Sequence, residues 1–167
     1  MECGGGRSEI VPDVKIGERR VSTTYIKELL REGAIKEANE CLGSPYFIIS
    51  EVETGRGVGR TLGFPTINTP IKKLSPRLRP GVYITEATIG STTYPAISNV
   101  GVCPTFSPRD EHIETYILDF DGDLYGREVK IFFHSFLRDE IKFSSENELI
   151  MQIKVDINRA KEEFFKK

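Results

Sequence analysis

The spacing of apolar residues changes twice along the chain. "YIKELLRE" follows the hydroxyls of Ser22, Thr23 and Thr24 and stops at Gly33, which are the caps of a short helix. "AIKEANECL" places Ile35, Ala38 and Leu42 at helical spacing and ends at Gly43, a second helix. From Pro45 the texture becomes strand-like. "YFIISEV", "GVYITEATI", "TTYPAI", "IETYILDF" and "REVKIFFHSF" are β-branched and aromatic runs divided by Gly, Pro and Asp-Gly turns. The helical period then returns. Leu149, Ile153, Ile157, Ala160 and Phe164 mark an amphipathic helix of about five turns, opened by a capping box at Ser145-Glu-Asn-Glu148.

Five or six short strands between Tyr46 and Phe136 predict a compact antiparallel barrel or sandwich, mainly β, with the last helix on one side or end. Two parts are expected: a tail and helical hairpin over residues 1–43, and a barrel with its C-terminal helix over 44–167. The first 20 residues, Gly-rich and then charged, read as a mostly disordered tail or a remnant of something larger.

Composition narrows the class. A length of 167 residues suits one ordinary domain. With 38% apolar and 29% charged residues there is material for one core and too much charge for a membrane protein. No apolar run approaches the roughly eighteen residues of a spanning helix. The start, "MECGGGRSEI", has no signal-peptide core, so a cytoplasmic protein is expected. Cys3, Cys41 and Cys103 are scattered, and His112 and His134 are the only histidines, so a structural zinc site is not expected.

The net charge of −2 argues against a general nucleic-acid binder. Its distribution is more informative. From Thr54 to Thr85 there is no Asp or Glu, while Arg56, Arg60, Lys72, Lys73, Arg77 and Arg79 all fall there. Such a block is either a solvated basic face or a site for a small polyanion. Gly55, Gly57, Gly59 and Gly63 lie in the same block and let backbone amides approach phosphates closely. The pattern is neither a Walker loop nor a dinucleotide fingerprint, because no Gly-Lys-Ser/Thr follows and Phe64-Pro65 stops a helix. A flexible hairpin tip fits the glycines equally well.

Three further features bear on chemistry. Thr66 and Asn68 are two apart in an extended segment, so they share a side and offer hard neutral oxygens that suit Mg²⁺ beside phosphates; turn-capping is the alternative. In "HIETYILDF" alternation groups Glu114 with Tyr116, Leu118 and Phe120, a side expected to face the core. A partly desolvated carboxylate there suits a general base, and a solvated strand-end Glu is the plain alternative. "SNVGVCPTF", with Asn99, reads as a loop; in "FLRDEIKF" Arg138 beside Phe suits a planar ring, and an ordinary solvated link between the last strand and the final helix fits equally well.

In order, "GRTLGFPTIN", "GVY", "SNVGVCPTF", "ETYILDFDGDLYG" and "FLRDEIKFSSENELIMQIKVDI" resemble the bacterial riboflavin kinases, the C-terminal module of bifunctional riboflavin kinase/FAD synthetases. The resemblance covers Leu42 to Phe164. It implies a six-stranded antiparallel Greek-key barrel with a C-terminal helix, and Mg²⁺-dependent transfer of the ATP γ-phosphoryl group to the 5′-hydroxyl of riboflavin, giving FMN and ADP. By resemblance, Glu114 is the catalytic residue and Thr66 and Asn68 meet the metal and nucleotide phosphates. Gly55, Gly57, Gly59, Arg60 and Gly63 belong to the nucleotide flap, and Phe64, Asn99, Arg138 and Glu140 to the flavin side. "VSTTYIKELLREGAIKEANECLGSPY" resembles the junction with an adenylyltransferase domain, with Lys27 where that family usually carries Arg.

The expected partners are therefore riboflavin or FMN and ATP or ADP, with no nucleic acid and no membrane. The chain is expected to be a monomer or to associate with an adenylyltransferase domain, and FAD synthesis is not expected from it. The rival class is a barrel that binds flavin or nucleotide without turnover. A nucleic-acid-binding barrel is disfavoured, since only Phe64 and Tyr83 are interleaved with the basic block.

Overall fold

The computed structural model describes residues 14–55, 57–72, 75–102 and 111–165. Residues 14–20, expected to be disordered, instead form a small hairpin: β1 (Lys15–Ile16) pairs with β2 (Arg19–Arg20), and Val21 N–H donates to the Val14 carbonyl at 2.9 Å. The rest of that tail, residues 1–13, lies outside the described residues.

Two helices follow as the caps dictate. In α1 (Thr23–Glu32) the Ser22 hydroxyl accepts from Tyr25 N–H, and Gly33 ends the helix in the left-handed conformation. α2 (Ile35–Leu42) ends at Gly43 in the same way. Leu29, Leu30, Ile35 and Ala38 are buried in one cluster with barrel residues such as Ile131 and Phe133. Asn39 joins the hairpin to the sheet: its Nδ2 donates to the Phe133 carbonyl and its Oδ1 accepts from Tyr46 N–H, both at 2.8 Å. The helical hairpin and the barrel therefore share one core.

Six strands make the sheet: β3 (Tyr46–Glu51), β4 (Thr66–Pro70), β5 (Gly81–Ile89), β6 (Thr92–Val102), β7 (Glu111–Ile117) and β8 (Glu128–Arg138). Between β3 and β4 lies one helical turn, α3 (Val58–Thr61). The strand order is β3-β8-β5-β6-β7-β4, all antiparallel, which is the Greek-key connection of β8 beside β5. The two edges meet where Glu53 N–H donates to the Asn68 carbonyl at 2.8 Å and Ser50 Oγ donates to the Pro70 carbonyl at 2.9 Å. That contact closes the sheet into a barrel.

Both faces of part of this sheet are covered, which explains why β5 lacks polar alternation. Inside the barrel Phe133 packs against the rings of Tyr46 and Tyr83, with centroids 5.9 and 5.3 Å away. On the outer face Val82, Ile84, Ile97 and Leu118 form a second apolar cluster against Ala160, Ile157 and Phe164 of α4 (Glu146–Phe165). The start of α4 is a capping box shifted by one residue: Glu148 N–H donates to Ser145 Oγ at 3.3 Å, and the Glu148 carboxylate accepts from Ser144 N–H at 2.9 Å.

In β7 the inward face is the opposite of the one that alternation suggests. Ile113, Thr115 and Ile117 point into the barrel and are buried, whereas Glu114 is exposed and Tyr116 half-buried on the outer face. The β-branched set fills the narrow interior, while Tyr116 and Leu118 join the cluster under α4. Two stretches that read as loops are also strand in part. Ser98 to Val102 is the second half of β6, and Phe136 to Arg138 ends β8. The remainder of "SNVGVCPTF", residues 103–106, lies outside the described residues.

Candidate active site

Antiparallel register places the chemistry. Asn68 on β4 is paired with Glu114 on β7, and Glu114 with Asn99 on β6. The row continues through Val82 on β5 to Arg138 on β8. A second row runs from Thr66 through Tyr116 to Ile97. Directly paired residues project from the same face, with Cβ atoms about 5 Å apart. The Thr66 and Asn68 oxygens therefore share a face with the Glu114 carboxylate.

A cavity of about 620 Å³ opens above these rows, roofed by α4 and by residues 140–143. Thr66, Glu114, Tyr116, Asn99, Arg138 and Glu140 line it, with Gly59 and Leu62 from the flap and Phe64 just beyond it. The rest of the wall is mostly apolar, with Val82, Ile97, Ile141, Phe143, Leu149 and Ile153, and it also carries the charged residues Lys142 and Asp156. The upper half of the α4 apolar stripe thus faces the cavity rather than the barrel. Phe64 and Tyr116 meet edge to face at 5.6 Å. A mostly apolar cleft with a few converging polar groups is the usual form of a small-molecule site.

The flap is seated on the two proposed metal donors. A Cβ at Gly55 would fall 1.9 Å from Asn68 Nδ2, and one at Gly59 would fall 2.4 Å from the Phe64 carbonyl and 3.1 Å from Thr66 Oγ1. Space, not left-handed backbone, requires glycine at both positions. Within the flap α3 folds as a single turn, closed by Phe64 N–H donating to the Gly59 carbonyl at 2.8 Å. Arg60 is exposed on that turn, Gly57 and Gly63 flank it, and Arg56 lies outside the described residues.

The basic block divides by partner. Arg77 pairs with Glu111 at 3.5 Å and Arg79 with Asp139 at 2.8 Å. The Arg79 guanidinium also lies over the Phe136 ring at 4.7 Å. These two cations are engaged with carboxylates of neighbouring segments. Lys73 is outside the described residues.

Asn99 has an unusual environment. Its Nδ2 donates to Glu140 Oε1 at 3.4 Å, while its Oδ1 is buried without a hydrogen-bond partner. A buried orphan acceptor beside a cavity is what a ligand donor would satisfy. Arg138 does not face the cavity as a free cation. Its Nη2 donates to Asp156 Oδ2 at 2.7 Å and its Nη1 to the Asp139 carbonyl at 2.9 Å. Sequence reasoning missed Asp156 and its neighbour Gln152. The available signal was a carboxylate on the apolar stripe of α4, between Ile153 and Ile157.

The donor chemistry suits Mg²⁺ only as part of a larger shell. Among the described residues no group of three or more His, Cys, Asp or Glu side chains could hold a metal. Thr66 and Asn68 supply two hard neutral oxygens, and phosphates would have to supply the remainder.

The riboflavin kinase (flavokinase) family model matches residues 42–164. The chain belongs to the riboflavin kinase family. It is 36% identical over 146 residues to the bifunctional riboflavin kinase/FMN adenylyltransferase of Bacillus subtilis, covering 86% of this chain and 46% of that protein. To the enzyme of the same description from Listeria monocytogenes it is 37% identical over 158 residues, covering 90% and 49%. The chain spans about half the length of these curated relatives. Among solved structures, the riboflavin kinase of Trypanosoma brucei superposes with a TM-score of 0.53 at 26% identity, covering 73% of this chain and 81% of that one. A Streptococcus pneumoniae crystal structure described as a macrolide-efflux protein superposes with a TM-score of 0.82 at 33% identity, covering 90% of this chain and 50% of that one. No helix among the described residues is long and apolar enough to cross a membrane.

Proposed function

We propose that this riboflavin kinase family member transfers the γ-phosphoryl group of ATP to the 5′-hydroxyl of riboflavin. One observation carries the reading: Asn68, Glu114 and Asn99 stand side by side on three paired strands beside a largely apolar cavity of flavin size. Glu114 takes the proton of the ribityl hydroxyl as that oxygen bonds to the γ-phosphorus, and the bond from phosphorus to the bridging oxygen breaks, releasing ADP. Such transfer depends mainly on alignment and charge neutralisation, with one base for the attacking group. Mg²⁺, when bound, would sit at Thr66 and Asn68 and neutralise phosphate charge. The flap from Gly55 to Gly63, with Arg60, covers the nucleotide and excludes water. Phe64, Asn99, Arg138 and Glu140 lie on the flavin side, where the apolar wall accepts the ring system.

The test is direct. The protein is incubated with riboflavin, ATP and Mg²⁺, and FMN is sought by chromatography. FMN formation that requires ATP and the metal supports the proposal. Riboflavin binding without product would assign the chain to the non-catalytic flavin-binding class instead. The N-terminal 43 residues are proposed to derive from the junction with an adenylyltransferase domain.

A further inference from the structure

The Asp156 side chain is 3% exposed and its Arg138 partner 16% exposed, yet both line the cavity. The carboxylate is fully engaged. Oδ1 accepts from Arg138 Nε at 3.2 Å and from Gln152 Nε2 at 2.9 Å. Oδ2 accepts from Arg138 Nε at 3.0 Å and from Nη2 at 2.7 Å. The Asp139 carbonyl accepts from Nη1. The guanidinium plane is therefore fixed at both ends and its charge is balanced.

Docking of α4 does not explain this pair. Ile157, Ala160 and Phe164 already pack on Leu137, Val82 and Ile84. A buried ion pair gives little net stability, because removing two charges from water opposes their attraction. Its value lies in what it presents to the cavity. Locked by Asp156, Arg138 cannot swing out to meet a phosphate. It lines the cavity as a charge-compensated group together with Val82, Ile141 and Ile153. Flat guanidinium faces stack on aromatic rings. Arg138 also stands three strands along the row from Glu114, so these two side chains line well-separated parts of the cavity.

We propose that Asp156 is a positioning residue that holds Arg138 as a flat wall for a planar uncharged ring. With the substrate reading above, that ring is the isoalloxazine, so the role rests on that reading. The test reads riboflavin's own fluorescence on titration with protein, beside thermal melts and the KM for ATP. Asp156→Asn keeps the shape of the side chain and loses the charge. Arg138→Met/Asp156→Leu replaces the pair with apolar groups that keep α4 docked. Both variants are expected to weaken riboflavin binding about tenfold, while the KM for ATP stays within about twofold. Asp156→Glu, which shifts the fork by one methylene, is expected to recover part of the loss. Should either folded variant bind riboflavin like the wild type, Asp156 serves stability alone and the proposal is overturned. Flavin and ATP constants that worsen together would overturn it as well. A wild-type chain that binds riboflavin in an Asp156-dependent way but makes no FMN removes the kinase reading and leaves this role standing. A wild-type chain that binds no riboflavin overturns both.

Discussion

Gly59→Ala isolates the seating of the flap. Gly59 lies in a single helical turn, where alanine is intrinsically favoured by about 1 kcal/mol. Its added methyl would fall 2.4 Å from the Phe64 carbonyl and 3.1 Å from Thr66 Oγ1. The first contact is about 1 Å short of ordinary van der Waals distance. The Phe64 carbonyl is backbone and cannot rotate away, and Thr66 is held by its pairing with Tyr116. The flap must lift by about 1 Å, a displacement that typically costs a catalytic constellation about a hundredfold. No core residue moves, so the melting temperature should change little. Initial rates of FMN formation over a range of ATP concentrations, beside thermal melts, read both quantities. A kcat/KM for ATP at the wild-type level would show that the working flap is not seated on Thr66, and the reasoning would fail.

Asn68→Ala should reduce use of Mg·ATP far more than riboflavin affinity, measured by kinetics and by fluorescence titration; equal losses would indicate misfolding instead. Ser98→Ala should destabilise the fold by about 1–3 kcal/mol in urea titrations. Its hydroxyl bridges those of Thr85 and Thr115 inside the barrel at 2.9 and 2.8 Å, and a loss under about 0.5 kcal/mol would deny that ladder a structural role. Burial pushes the Tyr46 hydroxyl up to about 12, so the folded state keeps a proton that the unfolded chain loses near its ordinary value of about 10. Stability should be intact below about pH 10 and fall from there to about pH 12, less steeply in Tyr46→Phe; parallel pH profiles for the two proteins would refute this origin.

The fold is legible in the sequence where local rules act alone. Ser22, Gly33 and Gly43 bound the first helices, and the Gly90-Ser91 turn joins β5 to β6 as turn chemistry requires. The Thr66–Asn68 pair is legible too, because a spacing of two survives in any extended segment. The face occupied by Glu114 is not. Alternation identifies which residues share a side, but β7 has apolar residues on both, and only its pairing with β4 and β6 decides which side lies inside. The lock on Arg138 is hidden for a similar reason. Asp156 is 18 residues away in sequence, and nothing local brings the end of β8 beneath the middle of α4. The flap glycines suggest phosphate approach when read as sequence, whereas two of them are required by the closeness of Asn68, Phe64 and Thr66.

In the proposed reaction Glu114, paired with Asn68 on one side and Asn99 on the other, removes the proton from the attacking hydroxyl. The turnover number of Glu114→Gln at saturating riboflavin and Mg·ATP tests it most directly, with riboflavin affinity measured on the same sample. A fall of about two to four orders of magnitude is expected, the usual contribution of a general base, with binding retained. Turnover close to that of the wild type would contradict it.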